Sequence, residues 1–308
     1  MPILASPFQV VAPLDVAASW PGISAMTWTG WDGSEWDLLG SNGVALTAGA
    51  RGMSMPPVDR FTSTSPALAG SRWRGSRTLE REVFWPLFVY NDGGSQAWVE
   101  HDRAFWRTMD PTRPGLWSVT HPDGTIRTLV CRFVDDGDGV FDRDPSAAGW
   151  AVYGVTLVAE QPYWQGTPVT QTWKTVSPVS FFGAGSGGPP FTISPGSSLA
   201  KASINNPGDV DAYPLYTITG PVDSVSVGYA GNVVQLGAIA DGQTRIVDTR
   251  PDRLTVKDQN GVDRWSELGA SANFDAPLPP GNPISLSLAM VGAGTVTASI
   301  IPLYYRAW

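Results

Sequence analysis

Turn formers punctuate this chain so densely that short strands, and little else, fit between them. Its 308 residues include 34 Gly and 27 Pro, and only 16% are charged. Gly and Pro supply the angles and breaks that tight turns need, and both weaken helix interiors. One stretch reads as a helix, about Ser95 to Met109. There Trp98, Phe105, Trp106 and Met109 share a stripe, and Asp110-Pro111 stops it. Elsewhere the reading is β. Strands are expected at Ala25 to Thr29, Trp36 to Leu39 and Val44 to Thr47. A longer one spans Arg77 to Asn91, where Pro86 argues for an edge position or a bulge. Leu116 to Thr120 and Thr125 to Val134 flank His121-Pro-Asp-Gly124, a β-turn by residue type. Trp150 to Ala159 is apolar on both faces, as a central strand is.

The length exceeds one ordinary domain, so two are expected. Residues 1–166 read as an N-terminal β-domain carrying the helix. Residues 167–190 read as linker, and 191–308 as a second β-sandwich. The fold class is therefore all-β with one helix. Strands recur near Leu215 to Thr219, Val225 to Val227, Val233 to Leu236, Thr244 to Asp248 and Leu254 to Lys257. Asn260-Gly261 is the strongest hairpin signal. Ala276 to Tyr305 carries no charge, yet its prolines and period-two alternation predict a hairpin turning at Gly292-Ala-Gly294, not a membrane helix.

Several function classes are excluded. A net charge of −8 and a pI near 4.7 oppose nucleic-acid binding, which needs clustered Lys and Arg. No Lys or Arg precedes Arg51, so no charged signal-peptide start is expected. Cys131 is the only cysteine and reads as a small buried hydrophobe; a reducing compartment suits it. His101 falls on the helix's buried stripe and His121 at an exposed turn, so no nucleophile–base set assembles, and neither a catalytic residue nor a cofactor is expected. Gly183 to Gly188 has dinucleotide spacing, but Pro189-Pro190 follows where a helix N-terminus is required, so it reads as linker. The acidic run Asp135 to Asp144 reads first as a solvated hairpin loop. Its second reading is a weak Ca²⁺ contact at Asp136, Asp138 and Asp142, lacking the oxygen ligand that a calcium loop needs at Val140. Trp265 is the candidate for stacking on a sugar in the second domain.

Asn206 to Pro221 reads as a polar turn, a strand and a second turn at Gly220-Pro221. The first unit orders long strand, single helix, Pro-Asp-Gly hairpin and a last strand ending in Glu160-Gln-Pro-Tyr-Trp164. Thr244 to Thr249, Asp258-Gln-Asn-Gly261, Pro279-Pro-Gly-Asn282 and the terminal Tyr304 to Trp308 complete the set. Jointly these motifs resemble the distal tail (Dit-type) and minor tail proteins of siphophages, most similarly those of actinobacteriophages. The resemblance implies a hexameric ring at the virion's distal tail tip, made in the host bacterial cytoplasm. Its N-terminal domains would close the ring, with a helix and an extended hairpin clasping the neighbour, and a galectin-like or carbohydrate-module-like domain would project outward. Expected partners are the tail tube protein, a baseplate or fibre protein, and the tape measure protein; no nucleic acid is bound and no membrane entered. A host-surface carbohydrate-binding module on the same scaffold is the alternative.

Overall fold

The computed structural model describes residues 20–137, 141–175 and 199–308. The chain forms two compact units, one reaching Trp164 and including Tyr305–Trp308, the other comprising Gln165–Tyr304.

The first unit begins with β1 (Ala25–Thr29), β2 (Glu35–Asp37) and β3 (Val44–Leu46). Next come β4 (Val58–Ser65), β5 (Leu68–Thr78), β6 (Arg81–Tyr90) and helix α1 (Ser95–Trp106). The strands β7 (Gly115–Thr120) and β8 (Ile126–Asp135), a four-residue helix α2 (Pro145–Ala148) and β9 (Trp150–Ala159) complete it, with β10 (Trp164–Gln165) at the boundary. An antiparallel sheet runs in the order β2-β1-β7-β8-β9-β6-β3.

Alternation decides which face each strand buries. On β6, Val83, Trp85, Leu87 and Val89 are fully buried, whereas Glu82, Phe84, Pro86 and Phe88 point to the other face. The sheet closes over on itself through tryptophans. Trp85 meets Trp28 of β1 at 5.3 Å and Trp117 of β7 at 5.2 Å, both edge to face, the geometry that aromatic quadrupoles favour. Helix α1 buries Trp98 and Phe105, and Trp106 stands against Phe133 and Tyr153. It ends three residues before the expected Met109, because Thr108 and Met109 donate to the carbonyls of Phe105 and Trp106 in tight three-residue turns.

Three expectations for this unit need correction. The long strand is broken: β5 ends at Thr78, and Leu79 donates to Pro57 before β6 begins. Pro86 lies on an interior strand. Phe84 and Tyr90 donate toward Arg51 and Gly43, so by alternation Pro86's missing donor faces the same side, beyond the end of three-residue β3. A gap in the ladder tolerates proline as an edge does. The loop carrying the acidic run continues into a second helix, α2, where Asp144 caps the amide of Ser146 and Gly149 closes it in the left-handed region (φ 75°).

The second unit starts with β11 (Val169–Lys174), which corrects the linker reading over those residues. Their Thr-rich alternation pairs them with a distant strand, a partner invisible locally. Residues 176–190, including the Gly183 to Gly188 motif, lie outside the described residues. Strands β12 (Ser203–Asn206), β13 (Leu215–Thr219), β14 (Val222–Tyr229), β15 (Asn232–Leu236), β16 (Thr244–Asp248) and β17 (Thr255–Asp258) follow. The last are β18 (Gly281–Ser285), β19 (Ala289–Gly292), β20 (Thr295–Ile300) and the two-residue β21 (Leu303–Tyr304). One sheet runs β11-β20-β13-β16-β17, another β15-β14-β19, and β12 pairs with β18. Tyr216, Ile218, Val247 and Val296 from the first meet Val225, Val227 and Val234 from the second in one core.

The hairpin expected at Gly292-Ala-Gly294 is instead a crossover: β19 pairs with β14, and β20 with β13 and β11. A Cβ on Gly294 would lie 2.4 Å from the carbonyl of Thr219, so the chain passes too closely for a larger residue. Alternation assigned the faces but not the partners. The turn at Asn260-Gly261 is present, closed by Asp258 pairing with Val262 and by Gly261 at φ 78°.

Candidate assembly surface

Strands β4 and β5 form a two-stranded sheet of their own. Thr, Ser, Phe, Trp and Arg favour extended backbone here, and Ser65 caps the Pro66-Ala67 turn through its hydroxyl. Bulges at Phe61/Thr62 and Ser63/Ser65 twist the ribbon. Neither face is covered: Phe61 is 51% and Trp73 55% exposed. Arg60 stands over the Trp73 ring at 5.9 Å, Arg74 donates to Ser63 at 3.0 Å, and Arg77 pairs with Asp59 at 3.2 Å. Four arginines and one aspartate give this ribbon +3 in a chain of −8. The sequence reading missed it because no apolar stripe marks it. The arginine density beside Phe61 and Trp73 was the available signal.

The groups singled out from the sequence do not converge. His101 packs edge-on against Trp36 at 5.3 Å. His121 is half-buried rather than exposed, its Nε2 2.6 Å from the carbonyl of Ala307, because Tyr305–Trp308 returns to this unit. Cys131 is fully buried, and burial pushes its thiol up, away from the reactive thiolate. Burial also raises the Asp102 carboxyl, which accepts from the Tyr153 hydroxyl at 2.7 Å. The tyrosine is raised too, by burial and then by that bond. This pair is satisfied internally and presents no nucleophile.

Asp136 and Asp142 are exposed, and Asp138 lies outside the described residues. Among the described residues no group of three His, Cys, Asp or Glu is placed to hold a metal, and no helix is long and apolar enough to cross a membrane. Trp265, 41% exposed in a 3₁₀ turn, rests its ring against Phe274 at 5.2 Å.

No protein-family model matches the chain. It is 24% identical over 212 residues to minor tail protein Gp27 of Mycobacterium phage L5, across 64% of this chain and 61% of that protein. It is 23% identical over 139 residues to Gp27 of Mycobacterium phage D29, across 44% of this chain and 41% of that protein. The chain thus spans less than two thirds of the curated relatives it matches. Among solved structures, phage SPP1 Dit, described as a paradigm of the hub adsorption apparatus in phages infecting Gram-positive bacteria, aligns with a TM-score of 0.61. That alignment has 14% identity and covers 89% of this chain and 98% of the other. A chain of the phage P2 baseplate in its activated conformation aligns with a TM-score of 0.56 at 9% identity, covering 89% and 97%. The chain is thus similar in sequence to mycobacteriophage minor tail proteins and in fold to the SPP1 Dit hub protein.

Proposed function

We propose that this protein is a structural, non-enzymatic component of a long, non-contractile phage tail tip. Six copies close into a ring hub that joins the tail tube to the baseplate or fibre, with the first unit forming the ring and the second projecting from it. The observation that carries this reading is the extent of the SPP1 Dit likeness, which runs through both units and nearly the whole of that hub protein. The exposed β4–β5 ribbon supports it, because an isolated two-stranded hairpin is marginal in water and gains order from a partner. The mechanism is geometric. One patch on each copy meets a different patch on the next, and a fixed rotation closes the cycle around a channel.

Mass photometry and negative-stain imaging of the full chain test this. A ring of about 200 kDa, six copies of a 32.9 kDa chain, is expected. A monomer both in solution and in complex with the tube and baseplate proteins overturns it. A second reading, glycan binding by the second unit, is favoured by the exposed Trp265 ring. A glycan array in which Trp265→Ala abolishes binding would support it.

A further inference from the structure

Three aromatic rings of the first unit stand outside its core. Phe88 and Tyr90 follow one another on the outer face of β6, and Trp150 of β9 lies across from Tyr90. The Phe88 ring is 5.5 Å from Tyr90 and 5.7 Å from Trp150, at interplanar angles of 30° and 34°. All three are half-buried, and they line a cavity of about 160 Å³. The Tyr90 hydroxyl donates to the carbonyl of Gly40 at 2.7 Å, which fixes that ring in place.

The walls are tied together by the chain itself. Gly149 ends α2 at φ 75°, and its carbonyl accepts from the amide of Asn91 at 2.9 Å, joining α2 to the loop that enters α1. The Asn91 side-chain oxygen accepts from Gly93 at 2.8 Å, which leaves its NH₂ group to donate. Asp92 is exposed and has no hydrogen bond or ion pair among the described residues. The Ser146 hydroxyl donates to Asp144 at 2.7 Å and keeps its oxygen lone pairs. The rim therefore holds donors and acceptors together, and no Lys or Arg lines the cavity.

Three ligand chemistries suit aromatic rings beside a carboxylate, and geometry separates them. A quaternary ammonium is held by rings set steeply around the cation, whereas these rings run nearly parallel. An anion would meet Asp92 with no cation to offset the repulsion. A pyranose lays a C–H face on aromatic rings and offers hydroxyls that need both donors and acceptors. The volume lies below the roughly 300–1,000 Å³ of drug-sized pockets, so it suits one sugar ring rather than a chain. We propose that this cavity binds a single pyranose unit of a glycan, with Phe88 and Trp150 as the platform and Asn91 and Asp92 holding the hydroxyls. The site belongs to the first unit, unlike Trp265, and needs no ring closure.

The test is saturation-transfer NMR on the full chain with glucose, galactose, N-acetylglucosamine and rhamnose, and with choline and indole as the competing chemistries. At least one sugar should take up saturation at its ring C–H protons, with a Kd on the order of 1–10 mM. Ala147→Trp, at an exposed position of α2, fills the cavity while leaving its aromatic floor intact and should abolish the signal. Asp92→Ala, also exposed, should weaken binding about 5-fold through one lost hydrogen bond. Trp265→Ala should leave the signal unchanged.

Absence of saturation on every sugar overturns the inference, and so does a signal that Ala147→Trp leaves intact. Binding of choline or indole in place of a sugar overturns it as well. A signal lost only with Trp265→Ala places glycan binding in the second unit and overturns this site. Each of these outcomes leaves the ring reading standing.

Discussion

Arg81 on β6 donates to the carbonyl oxygen of Tyr305 at 2.8 Å, joining positions 224 residues apart in the chain. The same guanidinium donates to Gly52 and Pro162, each at 2.6 Å, and to Ser54. It is 1% exposed, and burial lowers its pKa to about 10. Four carbonyls take the place of water around the charge. Ala307, fully buried, adds a bond to Met53 at 2.9 Å.

The segment Tyr305–Trp308 is therefore part of the first unit's structure. Deleting it from the full chain should destabilise that unit by about 3 kcal/mol, since a charged hydrogen bond and a buried contact are lost. A fragment ending at Trp164 should show the same deficit in a thermal melt. Adding residues 305–308 back through a short linker should recover it.

Trp85 contacts Trp28 and Trp117 across the closed sheet. Trp85→Ala should cost about 3–5 kcal/mol, the usual range for emptying a buried aromatic site. Trp265→Ala, at a 41% exposed ring, should stay within about 0.5 kcal/mol. Urea unfolding of the two variants makes the comparison.

Tyr216 is fully buried, and its hydroxyl has no hydrogen-bond partner among the described residues. Burial alone raises its pKa. Tyr216→Phe removes a desolvated polar group while keeping the ring. The second unit should become more stable by up to about 1 kcal/mol, or stay unchanged. A loss above that range would reveal a bond to the hydroxyl.

The Asp258 carboxyl is held below its ordinary value, first by Arg264 at 2.7 Å and then by the amides of Val262 and Asn260. A carboxyl depressed in the folded state stabilises above its unfolded pKa of 3.8, and that contribution disappears as pH falls through the folded value. The wild type should therefore lose stability steeply between about pH 4 and pH 2. Asp258→Asn should be less stable at pH 7 and show a shallower decline in acid. Urea midpoints measured across that range check the sign.

Local chemistry made much of the architecture legible. Alternation in Val83 to Val89 and in Thr295 to Ile300 needs only a strand and one wet side, so both strands and their buried faces could be read directly. Helix α1 was legible for the same reason at the other period, and Asn260-Gly261 because its turn demands positive φ. Partner choice was not legible. Val169–Lys174 looked like linker because its partner is β20, more than a hundred residues on, and Gly292 to Gly294 looked like a hairpin because alternation is blind to which sheet receives each strand. Arg81 carries no local signal of its role, because only tertiary packing brings four carbonyls to it. The ribbon of Phe61 and Trp73 was hidden because both rings stay exposed among the described residues, and hydrophobic pattern records only burial that a single fold can satisfy. Residue type and spacing set the strands, faces and turns of this protein. Long-range closure decided their pairing, because only the folded chain brings distant backbones into hydrogen-bonding distance.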